Sequence, residues 1–406
     1  TIGLERAALL SAGIVSLATT IRLRRMRSAR VGSRLLEPPA DVAALHRRLL
    51  HDPASEREIR LAAALRAIAA NVTSDRDPEA EGDLPRIGVA CLSHNGDVVV
   101  SLTAAADLSP PWVGSGREWS LPSDVPVDDI AEDSRRAGDP CHAFVSIGLT
   151  PEGDDLFVDL EAAGILHVGG AAESAANILR AIATSLSVAG HAEACHLIGG
   201  GSVAVDLGTP NSHVADSVDS GVELASGLVG GTRQQELTSF ELRARRTGGD
   251  IWEPAVLLLD ESLHDGNEGW PTDTAHLFAP AHGLALVTTR VPPGGDTRWS
   301  LEPDSDGWLL ATTVGEFRVD PIGLEDTEAT TLGALMETAA RAPVQDELEW
   351  AAEDEPFEEP PHDIVVSLFG GGAVADRSGN TASFSRSKSV ELLAWLVTHR
   401  DRSTRT

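Results

Sequence analysis

Residues 167–183 read HVGGAAESAANILRAIA. A short apolar strand, Gly164 to Val168, runs into a glycine pair and then into a helix. Strand, tight glycine turn and helix in that order have the shape of a phosphate-binding loop, where backbone N–H groups at a helix start cradle an anion. The chemistry of such a loop rests on GxxxxGK[ST]: the lysine neutralises phosphate charge and the hydroxyl holds Mg²⁺. Counted from Gly170, this chain has Ala175 at the second glycine, Ala176 at the lysine and Asn177 at the hydroxyl. Glu173 adds a negative charge where phosphate would lie, and the sole lysine, Lys388, is more than two hundred positions away. These positions are therefore vestigial, and no cofactor and no catalysis are expected of the loop.

Downstream, PAVLLLDES (254–262) is an apolar strand ending in Asp260 and Glu261. In working nucleotide hydrolases such an Asp supports Mg²⁺ and a following acid orients water. With the loop already degenerate, this pair reads as a vestigial partner of the same site. GGGSVAV (199–205) lacks the last glycine of a GxSxG nucleophile elbow, since Ala204 stands there. His142, His167, His196 and His282 have no paired-ligand spacing, so no metal is expected.

Around these motifs strands alternate with helices from Ala163 onward, which predicts a mostly parallel sheet with helices on both faces. Upstream, RIGVACLS, GDVVVSL and HAFVSIGLTPEGDDLFVDL read as short strands joined by turns. The organisation expected is a membrane helix with an Arg-rich flank at 1–36, a helical segment at 37–80 and a small β-rich module at 81–162. A degenerate P-loop-like α/β domain follows at 163–342, then an acidic linker at 343–362 and the start of a winged helix at 363–406. The chain has 406 residues and a formal charge of −30, which excludes a nucleic-acid coat over its whole surface. The three cysteines are widely spaced and form neither a metal pair nor a disulfide framework.

The membrane expectation rests on AALLSAGIVSLATTI (7–21), fifteen uncharged residues followed by Arg22, Arg24, Arg25 and Arg27. Extended to Gly3–Leu23, the run reaches roughly the 20 residues a bilayer core needs. The arginines would then hold the following chain on the cytoplasmic side of the cell membrane. From Ile364 the chain carries six basic residues against three acidic ones, a basic tail on an acidic body.

The tail VVSLFGGGAVADRSGNTASFSRSKSVELLAWLVTHRDRSTRT resembles the start of the OmpR-type winged helix of actinobacterial SARP/BTAD transcriptional activators. The matching residues are Leu368 to Gly370, Gly379, Phe384, Arg386, Lys388, Leu392, Leu393 and Leu396. The N-terminal segment and HAFVSIGLTPEGDDLFVDLEAAGILHVGG are similar to the large membrane-bound members, which carry a LysM module. That resemblance implies a membrane-anchored transcriptional regulator whose complete winged helix binds DNA, with Arg386 and Lys388 near phosphate and the recognition helix beyond residue 406. It leaves the α/β domain as a scaffold for a protein partner or for self-association. The alternatives are a relative of FtsK or secretion-type membrane ATPases, against which the missing lysine counts, and a non-catalytic assembly module.

Overall fold

The computed structural model describes residues 8–28, 33–34, 55–74, 84–188, 195–203, 211–229, 237–246, 253–263, 269–280, 282–295, 298–341, 344–345, 363–367, 373–382 and 395. The chain divides into two compact units, Thr1–Ile21 with Pro38–Ala340, and Arg22–Glu37 with Arg341–Thr406.

Helix α1 (Ala8–Ser28) holds the apolar run, and its burial is one-sided. Leu10, Ile14 and Ala18 recur every four residues, so they line one stripe of the helix. They are buried against Ala181, Ile322, Leu324, Leu332, Leu335 and Met336, while Thr19 and Thr20 are exposed. A lipid-facing helix must instead be apolar all round. No helix among the described residues is long and apolar enough to cross a membrane. The expected membrane anchor, membrane partner and cell-membrane placement are therefore corrected: the run is a core-packing helix. Arg22, Arg24, Arg25 and Arg27 are exposed on its last turns, where cations complement the carbonyl end of a helix.

After the two-residue strand β1 (Ser33–Arg34), helix α2 (Ser55–Ser74) packs on an antiparallel sheet. The strands are β2 (Ile87–Leu92), β3 (Val98–Leu102), β4 (Val113–Ser115), β5 (Glu118–Leu121), β6 (Phe144–Leu149) and β7 (Asp155–Asp159). Helix α3 (Val127–Arg136) lies among them in sequence. Leu61, Ala64, Leu65 and Ile68 of α2 share one core with Ile87, Leu92, Val98, Val100, Leu121 and, from α3, Ile130.

A single helical turn, α4 (Leu160–Ala163), leads into the α/β part. Its elements are β8 (Ile165–Val168), α5 (Ala172–Val188), β9 (His196–Gly200), β10 (Ser212–Ala215), α6 (Val218–Leu228), α7 (Ser239–Ala244), β11 (Ala255–Leu259), α8 (Thr274–Leu277) and β12 (Leu284–Thr288). Strands β13 (Ser300–Asp304), β14 (Gly307–Ala311) and β15 (Glu316–Pro321) and helix α9 (Asp326–Ala340) complete it. The order β10-β9-β11-β12-β8-β13 is parallel throughout. Every residue of β11 and β12 is buried, as continuous apolar strands covered on both faces should be. Alternation divides them: Val256, Leu258, Ala285 and Val287 meet Ile178, Leu179 and Ile182 of α5, while Leu257, Leu259, Leu284 and Leu286 meet Val218, Val222 and Ala225 of α6. The fold is thus mixed α/β, with a parallel six-stranded part of the sheet between two helical layers. Beyond β13 the sheet turns antiparallel through β14 and β15, and β15 meets β6 at Asp320 opposite Leu149 and Pro321 opposite Gly148. One sheet of 14 strands results among the described residues.

In the second unit β1 pairs antiparallel with β16 (Val344–Gln345), and β17 (Ile364–Ser367) with β18 (Ala373–Asp376). Asp376 closes the turn after β18 by accepting hydrogen bonds from the Ser378 and Asn380 amides at 2.8 and 2.9 Å. Arg386 and Lys388 lie outside the described residues, as does the helix expected to follow them apart from Trp395, which is exposed.

Candidate functional site

Parallel strands end on a common edge. His167 is registered with Thr288, Leu259 with Thr288, and Leu259 with Gly200. Gly169, Thr289, Asp260 and Gly201 therefore emerge side by side at the carboxyl end of the sheet, where open α/β sheets hold their ligands. The glycine turn after β8 and the acidic pair after β11, far apart in sequence, thus lie on the same edge of the sheet, with β12 between them.

The glycine pair has another tenant. Gly170 is left-handed, with φ of 95°. A Cβ on it would lie 3.0 Å from the Trp308 ring and 3.4 Å from Pro303, and one on Gly169 would lie 2.9 Å from Glu302 Cγ. Small residues are thus required by the β13–β14 hairpin packed over the turn. The Gly169 N–H, which a phosphate cradle would aim at its anion, donates to Leu301 O at 2.9 Å. Glu302 also reaches His167, its Oε1 3.8 Å from Nε2.

Helix α5 carries the remaining loop positions. Ala175 and Ala176 are buried at 1 % and 7 % exposure, so a methyl group fills the place of the lysine stem. Asn177 Oδ1 accepts from Arg180 Nη1 at 2.6 Å. Arg180 also donates from Nη1 to Leu324 O and from Nε to Ser202 O, both at 2.9 Å. Its guanidinium thus ties α5 to the turn after β9 and to the segment before α9. Sequence reading missed this residue; its i, i+3 spacing from Asn177 was the available signal.

Asp260 is only 4 % exposed. One carboxylate oxygen accepts from the Ser262 amide at 3.0 Å and from its hydroxyl; the other accepts from the Ser202 amide at 3.2 Å and from its hydroxyl. Both oxygens are committed to the two turns that follow β9 and β11. Ser202 is thereby a latch and no elbow nucleophile. Glu261 is exposed.

A second polar cluster lies beyond the other end of β8. Glu161 pairs with Arg243 of α7 and accepts from the Ser239 hydroxyl at 2.7 Å, and Arg243 Nε donates to Pro140 O at 3.1 Å. Asp159 caps α4 by accepting from the Glu161 amide at 3.1 Å. Burial, then the Glu161 charge, push the Asp159 carboxyl up to about 7. Burial and the same acids push the Cys141 thiol well up, which makes it a poor nucleophile. Among the described residues, no group of three or more His, Cys, Asp or Glu is arranged to hold a metal ion.

No family model and no curated protein matches the chain. Among solved structures it is similar to the pCW3 conjugation coupling protein TcpA in its monomer form with ATPγS, at 12 % identity and a TM-score of 0.35, over 70 % of this chain and 99 % of that one. It is similar to the cytoplasmic domain of EssC at 9 % identity and a TM-score of 0.34, over 54 % of this chain and 58 % of that one. ATPases 2 and 3 of Thermomonospora curvata EccC, in complex with a signal sequence peptide, give 18 % identity and a TM-score of 0.28, over 45 % of this chain and 42 % of that one. At such identities no residue role transfers, and the site stands on its own geometry.

These findings correct the resemblance to SARP/BTAD activators, and with it the expected transcriptional regulation and DNA partner. The neighbours are conjugation and secretion proteins, EccC among them described as a type VII secretion ATPase. The patterns behind the resemblance have a packing origin. Asp155–Asp159 is buried at every position because β7 is an interior strand, and Gly379 lies in the turn that folds the chain back on β18, where Ala375 bridges Thr381.

Proposed function

We propose that residues 163–342 are an FtsK- or secretion-type ATPase fold that has exchanged nucleotide chemistry for fixed side-chain bonding and serves as a non-catalytic assembly scaffold. The observation that carries this reading is that the polar groups at the sheet edge already satisfy one another: Asp260 with Ser202 and Ser262, and Asn177 with Arg180. In a working site those same oxygens face a hydrated Mg²⁺ and phosphate. Gly170, Ala175, Ala176 and Asn177, with Asp260 and Glu261, are on this reading the remains of that site. Trp308 and Pro303 over the glycine turn, and the buried Ala176, support it further. The scaffold's task is to hold the hairpin and the antiparallel half of the sheet in one frame.

The test is ATP turnover and Mg²⁺-dependent binding of a fluorescent ATP analogue by the purified full chain, beside Glu261→Gln. Equal background turnover in both proteins and no saturable binding at millimolar analogue are expected. Turnover above background that disappears in Glu261→Gln would overturn the proposal.

A further inference from the structure

At the amino end of β9, away from the vestigial site, two imidazoles and a carboxylate meet. His196 begins β9, and His213 lies on the neighbouring edge strand β10, registered with Ile198. Since alternate residues share a sheet face, both rings lie on one side of the pair. His196 Nδ1 is 3.4 Å from His213 Nε2, and the ring centroids are 5.6 Å apart. The other nitrogen of His196, Nε2, is 3.1 Å from Glu253 Oε2. Four residue steps along β9 separate this cluster from Gly200, about 13 Å at roughly 3.3 Å per step.

We propose that His196 and His213 form a two-imidazole site for a nitrogen-preferring divalent transition-metal ion of the Zn²⁺, Ni²⁺ and Cu²⁺ class, with Glu253 as its positioning residue. A neutral imidazole has one N–H and one lone pair. The carboxylate of Glu253 draws the proton of His196 to Nε2 and so bares Nδ1, the nitrogen that faces His213. This carboxylate–histidine arrangement orients metal-ligating imidazoles and raises their basicity. The separation fits as well: two nitrogens each about 2.0–2.1 Å from a tetrahedral ion lie roughly 3.3–3.4 Å apart. Without an ion the same pair is a long hydrogen bond, which a bound ion would replace. Cys195 is buried with its sulfur 3.8 Å from the His196 carbonyl oxygen, so it is no third ligand. Water or a group from another molecule completes the shell.

The experiment is calorimetric titration of the metal-free full chain with Zn²⁺, and Co²⁺ absorption spectroscopy as a geometric readout, at pH 7.5. Wild type binds one ion in this site, and His196→Ala and His213→Ala each abolish that event. Glu253→Gln retains it with affinity reduced about 10–100-fold. His94→Ala, a histidine of the β2–β3 turn, controls for adventitious surface binding and leaves the event intact. No binding by wild type, or binding unchanged in the His196→Ala/His213→Ala double variant with native circular dichroism, would overturn the site. Unchanged affinity in Glu253→Gln would overturn the role given to that residue.

Discussion

Asp159 carries two demands at once. Its carboxylate caps α4, yet it is buried beside Glu161, with Arg243 as the nearby cation. The single guanidinium is already paired with Glu161, so a second charge in that space is costly. This is why the group holds its proton up to about 7, against a usual value near 3.8. The sign follows from linkage: a carboxyl whose pKa is raised on folding binds more protons in the native state. Its contribution is full below about pH 4 and is lost as the pH rises through 7. Asp159→Asn keeps a capping oxygen and removes the charge. Urea unfolding between pH 4 and 8 should show the variant gaining on wild type as pH rises, by on the order of a few kcal/mol across the range. Parallel pH profiles for the two proteins would contradict the assignment.

Among the elements, α1 teaches the most about reading apolar runs. Its fifteen uncharged residues satisfy the arithmetic of a short membrane span and of an intradomain helix equally well. What decides between them is the partner surface from Ile322 to Met336, some three hundred positions downstream and invisible to any local pattern. The packing is directly testable. Ile14 is fully buried, so Ile14→Ala should cost about 2–5 kcal/mol of unfolding free energy. Thr19→Ala, on the exposed side, should stay within about 0.5 kcal/mol. Equal, negligible effects would mean that the helix does not dock. Strand β8, helix α5 and strand β11 were legible for the opposite reason: their apolar periods and glycine turn are local signals. The bonds that occupy the site were not, because Arg180 reaches Leu324 across 144 positions and Ser202 reaches Asp260 across 58. The missing lysine could be seen in the sequence; what had taken its surroundings could not.

At the scale of the whole molecule, the α/β part and the β2–β7 sheet meet at β15 and β6, a seam with two registered pairs. The Ile322 amide donates to Ile147 O at 2.9 Å beside it. Gly148 makes the approach possible, since a Cβ there would lie 2.3 Å from the Asp320 carbonyl oxygen. Gly148→Ala should therefore part the seam locally. Hydrogen exchange should accelerate at residues 145–149 and 319–322, with the interiors of β11 and β12 unchanged. Uniform protection in the variant would show that the seam tolerates the side chain. Sequence alternation announced both halves of the sheet but not this join, because strand order depends on pairings between distant segments.

The seam also sets a timetable for synthesis. Strand β6 is complete at Leu149, but its partner β15 ends at Pro321. At about 5–20 residues per second, a ribosome needs roughly 10–30 s to make the intervening chain. Through that interval one side of β6 lacks its final neighbour. Such an edge is a template for pairing with other chains. The nascent protein's exposure to misassembly is thus written into the distance between two strands that end up side by side.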